Sequence, residues 1–105
     1  MRPDSSYVVV IHKKFQKTLE KNLPTDLKKV FNRKLEYLAA NPLHPSLNTK
    51  QYSVSRAKLR ELEVDEVWEF YINMSFRCVF YLVHEEKLMI LAYVGDHTEV
   101  KNRYK

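Results

Sequence analysis

A histidine between two carboxylates follows the last apolar run of the chain, in the stretch AYVGDHTEVK (residues 92–101). His97 comes two residues after Gly95, the only glycine of the sequence, and Asp96 and Glu99 lie beside it. Three interpretations compete: a surface-loop residue, a metal ligand, or a proton donor. Histidine is the side chain whose unperturbed pKa lies near neutrality, and a neighbouring carboxylate would orient its ring for proton transfer.

The other metal-ligating and nucleophilic residues argue against a metal or a cofactor. His12, His44 and His84 lie in separate segments, and none has the spacing to His97 that metal-binding motifs show. The single cysteine, Cys78, falls in an apolar stretch and is predicted to be a small buried hydrophobe. It excludes an internal disulfide, which fits a reducing cytoplasm. One glycine cannot build a glycine-rich phosphate loop.

An arginine interrupts the apolar stretch FRCVFYLV. One interpretation of Arg77 is a guanidinium held on a stiff strand, where it would bind a phosphate through two hydrogen bonds. The alternative is a surface arginine, or one that forms a salt bridge to Glu69. The residues alone leave both open.

Arg56, Lys58 and Arg60 alternate with other residues in RAKLR. In an extended strand the three side chains would project from one face and follow a nucleic-acid backbone. An edge strand protected by charge against aggregation is the alternative. The net charge of +5 points weakly to a polyanionic partner. A solvated basic helix face explains that charge equally well.

The elements that must position these residues can be predicted from periodicity. YVVVI (residues 7–11) predicts a short buried strand. Phe15, Leu19 and Leu23 are spaced four apart, which predicts a helix that ends at Pro24. A second helix, capped by Thr25 or Asp26, should run to Asn41, and a polar connection follows it.

From residue 57 onward the pattern predicts strands. KLRELEV is a plausible short strand, and VWEFYI, FRCVFYLV and KLMILAYVG should form antiparallel hairpins. A three-residue loop at 73–75 would place Tyr71 opposite Arg77 and Phe70 opposite Cys78. One face of the sheet then forms the core under the helices, with Trp68, Phe70, Ile72, Phe76, Cys78, Phe80 and Leu82. The other face, with Glu69, Tyr71, Arg77, Val79 and Tyr81, is predicted to be open.

The predicted fold is therefore α+β. An N-terminal strand and two helices precede a twisted, mainly antiparallel sheet, and the helices cover one face of it. Residues 1–105 should form a single domain. The longest apolar run near the N-terminus has five residues, too few for a membrane span or a signal sequence.

The order of these motifs resembles the RelE/ParE superfamily of bacterial toxins, especially its RelE-like mRNA interferase branch. The resemblance rests on VWEFYINMSFR, on FRCVFYLV and on VGDHTEV, which is similar to the G-x-H ending of several RelE-like members. It covers essentially the whole chain. It implies a RelE-like fold and a cytoplasmic toxin of a type II toxin–antitoxin system, with a co-encoded antitoxin, the ribosome and mRNA as partners.

The resemblance also implies a reaction: cleavage of mRNA in the ribosomal A site without a metal, by attack of the ribose 2′-OH on the adjacent phosphodiester. Arg77 matches the family arginine that stabilises the phosphate, and His97 matches a histidine that would serve as the acid. Glu69 is either the general base or a partner of Arg77. The candidates for RNA binding are Arg56, Lys58, Arg60 and Tyr71.

The chain departs from the family where Glu69 and Tyr71 replace basic residues of the sheet. A catalytically inactive member that binds RNA, ribosome or antitoxin is therefore an alternative. A ParE-like gyrase inhibitor is another.

Overall fold

A five-stranded mixed sheet organises the chain. The computed structural model describes residues 2–104. The strands are β1 (Val8–Ile11), β2 (Lys50–Tyr52), β3 (Glu66–Tyr71), β4 (Phe76–Val83) and β5 (Leu88–Asp96). The helices are α1 (Phe15–Asn22), α2 (Lys28–Ala40), α3 (Arg56–Leu62) and α4 (His97–Arg103). The spatial strand order is β1-β5-β4-β3-β2, in which only β1 and β5 pair in parallel. The predicted α+β class is confirmed.

The first face of the sheet packs against α1 and α2, as predicted. Phe31 of α2 stacks on Phe70 of β3, with ring centroids 6.4 Å apart. The predicted hairpin register is also confirmed, since Tyr71 pairs with Arg77 and Phe70 with Cys78. The buried residues of this core include Phe15, Leu23, Phe31, Leu38, Trp68, Phe70, Ile72, Cys78, Phe80 and Leu82.

The second face is not open along its length, and that prediction is wrong. Two helices that the sequence patterns did not predict, α3 and α4, cover much of it with a second core. Leu59 and Leu62 of α3 pack there against the sheet. The buried members of this second core are Val67, Val79, Tyr81, Ala92, Val100 and Tyr104. The central strands are apolar on both sides because both sides are covered.

The segment that carries Arg56, Lys58 and Arg60 is helical, so the predicted strand over KLRELEV is wrong. The Ser55 side chain caps this helix by accepting a hydrogen bond from the Lys58 backbone N–H, at 3.1 Å. Arg56 and Arg60 lie four positions apart and share one side of α3. Lys58, two positions from each, points about 200° around the helix from them. The three cations therefore do not share a face.

Two smaller predictions also need correction. β1 is an edge strand rather than a buried one, and its Val8 and Ile11 side chains are exposed. The second helix begins after a 3₁₀ turn, Thr25–Leu27, and no side chain of Thr25 or Asp26 caps it. None of the helices within residues 2–104 is long and apolar enough to cross a bilayer.

The end of β5 passes directly into α4. Asp96 caps this helix, and its carboxylate accepts from the Glu99 N–H while the Glu99 carboxylate accepts from the Asp96 N–H. A Cβ at Gly95 would lie 2.8 Å from the Tyr93 ring and 3.1 Å from the Glu99 Cβ. Glycine suits this position because a Cβ would press on the first turn of α4.

Candidate active site

Five reactive side chains gather on the second face of the sheet, at its β3–β4 turn end: Lys50, Glu69, Tyr71, Arg77 and His97. We call them the turn-end cluster. Strand pairing explains most of the grouping, because Lys50 pairs with Glu69, Tyr71 with Arg77, and Arg77 with Gly95. The His97 backbone N–H donates to the Ser75 carbonyl of the turn, at 3.1 Å, which fixes the start of α4 beside it.

Arg77 is held rigidly at the base of the cluster and is only 6% exposed. Its Nη1 donates to the carbonyls of Asn73 (3.2 Å) and Met74 (2.8 Å) in the turn. Its Cζ lies 3.6 Å from the centroid of the Tyr71 ring, a cation–π contact. The buried Nε has no hydrogen-bond partner. A guanidinium so fixed supplies positive charge without first having to be ordered.

Glu69 is the buried acid of the cluster, also 6% exposed. Its Oε2 has no hydrogen-bond partner, and within residues 2–104 no salt bridge joins Glu69 to Arg77. Burial raises the pKa of Glu69, and the charges of Arg77, Lys50 and His97 offset part of that rise. Glu69 therefore does not form the salt bridge to Arg77 that the sequence suggested, and the two side chains interact only through a longer-range attraction.

Replacement of Glu69 by glutamine should stabilise the fold at neutral pH. Burial raises the folded-state pKa of Glu69. Its contribution to the free energy of unfolding is therefore largest below the ordinary pKa of 4.5, and it is lost as pH rises through the folded-state pKa. We expect a gain on the order of 1 kcal/mol at neutral pH and none in acid. Urea unfolding across this pH range measures it. Glu36→Gln, on the exposed side of α2, is the charge-matched control, and equal curves for both variants would contradict the expectation.

Tyr71 and Lys50 form the accessible side of the cluster. Tyr71 is half-buried and Lys50 is exposed, with its Nζ 4.9 Å from the centroid of the Tyr71 ring. Interaction of the phenol with the Lys50 ammonium lowers the pKa of Tyr71, and the charge of Arg77 adds to the effect. Both residues line a shallow depression of about 430 Å³ with Asn48, Thr49 and the 79% exposed Met74. A flexible ligand that enters this depression would contact the Tyr71 side chain.

His97 is the first residue of α4 and is exposed, so the interpretation as a loop residue is wrong. Asp96 and Glu99 do not orient the imidazole, because each carboxylate is committed to the backbone of the capping box. The charge of His97 nevertheless reaches Glu69. Within residues 2–104 no three His, Cys, Asp or Glu side chains are grouped so as to hold a metal ion.

The basic residues of α3 lie apart from the strand pairs that build the cluster. Arg56 and Arg60 are exposed, and the Lys58 ammonium lies 4.0 Å from the Glu61 carboxylate. The cluster's exposed cation is instead Lys50, which the sequence patterns did not single out. It lies on β2, a three-residue edge strand within a segment predicted to be a polar connection. The only signal was Lys50-Gln51-Tyr52, too short for an alternation to be recognised.

The arrangement of sheet and helices is similar to that of solved toxin structures. One is the archaeal RelE in its complex with RelB from Pyrococcus horikoshii OT3, with a TM-score of 0.62 and 15% identity over 86% of this chain and 93% of that chain. Another is a metal-bound toxin from Helicobacter pylori, with a TM-score of 0.63 and 20% identity over 90% of this chain and 98% of that chain.

A copper-bound mutant toxin from Helicobacter pylori is also similar, with a TM-score of 0.61 and 24% identity over 90% of this chain and 98% of that chain. No family model matches the sequence. No curated protein matches it either. At these identities the similarity establishes architecture and not activity. The chain has a RelE-like toxin fold.

Proposed function

We propose that the protein is the toxin of a type II toxin–antitoxin pair and that it cuts mRNA on the ribosome. The reaction would be attack of the ribose 2′-OH on the adjacent phosphodiester, without a metal. The observation that carries the proposal is the turn-end cluster, which combines an arginine, an exposed histidine and an exposed lysine on a RelE-like sheet.

Each proposed catalytic role has physical support in the cluster. The Arg77 guanidinium is fixed at the base of the cluster, and its positive charge stabilises the charge that builds on the phosphate. His97 is accessible and serves as the acid for the departing 5′-oxygen. Glu69 is too buried to contact substrate directly and acts through the field that it imposes on the cluster.

Phosphates on either side of the cut would contact exposed cations. Lys50 borders the depression beside Tyr71, which makes it the first candidate for a backbone contact. Arg56 and Arg60 offer a second pair on one side of α3, while Lys58 is partly engaged with Glu61. Such contacts position the strand and make binding weaken as salt rises.

An antitoxin is the proposed protein partner. The archaeal structural neighbour was solved as a RelE-RelB complex, and we extend that pairing to this chain. Residues 1–50 carry ten Lys and Arg against four Asp and Glu, and the exposed lysines of α1 and α2 belong to this basic half. They offer a surface either to an acidic antitoxin or to ribosomal RNA.

One observation favours a second candidate, a toxin-fold protein that binds these partners without cutting. Arg77 is nearly buried, and its Nη1 is occupied by two carbonyls of the turn. On this alternative the arginine only stabilises the β3–β4 turn through these hydrogen bonds, and the cluster is a binding surface.

The deciding experiment is translation of a defined mRNA in a purified system, with 5′ ends mapped by primer extension. We expect ribosome-dependent cuts by the wild type, and a loss of about 10²–10⁴ in rate for His97→Ala. His12→Ala removes an exposed histidine outside the cluster and should cut normally. Folded wild-type protein that blocks translation without cutting would establish the second candidate instead.

A further inference from the structure

We propose that Tyr71 is the general base of the reaction: its phenol oxygen takes the proton of the ribose 2′-OH as that oxygen attacks phosphorus. The inference rests on the proposed function. It assigns the general base, for which the sequence offered only Glu69, with a role as partner of Arg77 as the alternative. Tyr71 is half-buried and lines the depression beside Lys50 and Met74.

The contacts of the Tyr71 ring favour its ionised form. The Arg77 guanidinium lies against the ring at 3.6 Å, and the Lys50 ammonium lies 4.9 Å from the ring centroid. Two cations in contact with one phenol stabilise the phenolate relative to the neutral group. The lowered pKa of Tyr71 agrees with this geometry. A base is most effective when its pKa approaches the working pH.

The competing base is poorly placed. Glu69 lies two residues earlier on the same face of β3 but is buried to 6% exposure, and its Oε2 contacts no donor. A general base must come within hydrogen-bond distance of the proton that it removes. Tyr71 lines a depression that a substrate can enter, whereas Glu69 is almost completely buried.

The charged groups that face Tyr71 come from every element around it. Lys50 approaches from β2 and Arg77 from β4, and both lower the pKa of the phenol. Glu69 lies on the tyrosine's own strand and is the carboxylate of the cluster. His97 joins from the start of α4, beside the turn. Cations therefore outnumber the single carboxylate around the phenol.

The step balances without any further reactant. The 2′-O–H bond breaks and its proton passes to the Tyr71 phenolate while the 2′-O–P bond forms. The P–O5′ bond then breaks, and the 5′-oxygen takes a proton from the His97 imidazolium. The products are a 2′,3′-cyclic phosphate and a 5′-OH. Tyr71 later returns its proton to solvent, and His97 regains one.

The test is single-turnover cleavage of mRNA on preformed ribosome complexes between pH 6 and pH 9. Tyr71→Phe keeps the ring against Arg77 and removes only the hydroxyl. We expect its cleavage rate to fall by about 10²–10⁴. We also expect that rate not to increase with pH, as the wild-type rate should. Lys50→Met should shift that rise to higher pH, because it removes a cation that stabilises the phenolate. Tyr37→Phe on α2 is the matched control.

A Tyr71→Phe rate equal to that of Tyr37→Phe would overturn the assignment, as would a rise with pH that survives in Tyr71→Phe. A wild type that cuts nothing would overturn the proposed function instead, so a second measurement is independent of activity. In a pH titration, phenolate absorbance near 295 nm should appear at lower pH in the wild type than in Tyr71→Phe. The reason is that the pKa of Tyr71 is lowered, whereas burial raises the pKa of five other tyrosines. Coincident titrations would also overturn the assignment.

Discussion

Replacement of Arg77 by alanine should abolish RNA cleavage while the fold persists. The guanidinium is the fixed cation at the base of the turn-end cluster, and loss of one preorganised group that stabilises a developing oxyanion costs about 10²–10³ in rate. Loss of its charge beside Tyr71 adds to this, because the phenolate form is then less favoured. Single-turnover cleavage on ribosomes measures the effect, and Arg77→Lys separates charge from the planar hydrogen-bonding fork.

The turn should survive this substitution because a second set of bonds holds it. The Asn73 side chain accepts from the backbone N–H groups of Ser75 (2.8 Å) and Phe76 (2.7 Å). Removal of Arg77 also leaves Glu69 without its main compensating charge, so the double variant Arg77→Ala/Glu69→Gln is the better-folded control. Normal cleavage by that double variant would show that Arg77 only holds the β3–β4 turn and takes no part in the reaction.

Replacement of Tyr104 by alanine should be among the most destabilising changes on the second face. Tyr104 is 2% exposed, and its ring centroid lies 6.2 Å from those of Tyr52 and Tyr81 and 6.4 Å from that of Tyr93. Truncation of a buried aromatic costs about 3–5 kcal/mol in unfolding free energy. Cleavage should fall as well, because Tyr104 anchors the helix that begins at His97. Urea unfolding and the cleavage assay measure the two effects.

Tyr104→Phe is the matched control for packing. It keeps the ring but leaves the buried Tyr81 hydroxyl without the partner now 2.8 Å away. The expected cost is about 1–3 kcal/mol, with His97 still in position and cleavage retained. If Tyr104→Ala unfolded at the same urea concentration as the wild type, the second core would not support α4.

The hairpins could be predicted from the sequence to the level of individual residue pairs. Trp68, Phe70 and Ile72 alternate with polar neighbours, and a three-residue turn leaves one register that buries them all. That register pairs Tyr71 with Arg77, as the structure shows. Lys50 escaped prediction because a strand of three residues has no period of its own.

The two second-face helices were missed for different reasons. In α3 the alternating cations suggested an extended strand, although Leu59 and Leu62, three positions apart, and the capping Ser55 were helical signals. In α4 the signal was Asp96 followed by Glu99, a capping box that was interpreted as a pair of orienting acids for His97. The same residues satisfy both patterns, and only packing against the sheet decides between them.

The parallel pairing of β1 with β5 has a consequence for how the molecule folds. Val8 pairs with Leu88, so the chain must close a long loop before this edge of the sheet exists. The β3–β4–β5 hairpins are local and can form first, which brings Arg77 to Tyr71 early. The same hairpins bring His97 beside the turn, since its backbone N–H donates to the Ser75 carbonyl. Four of the five cluster residues therefore belong to the locally connected half of the sheet, and the edge that closes the longest loop contributes none of them.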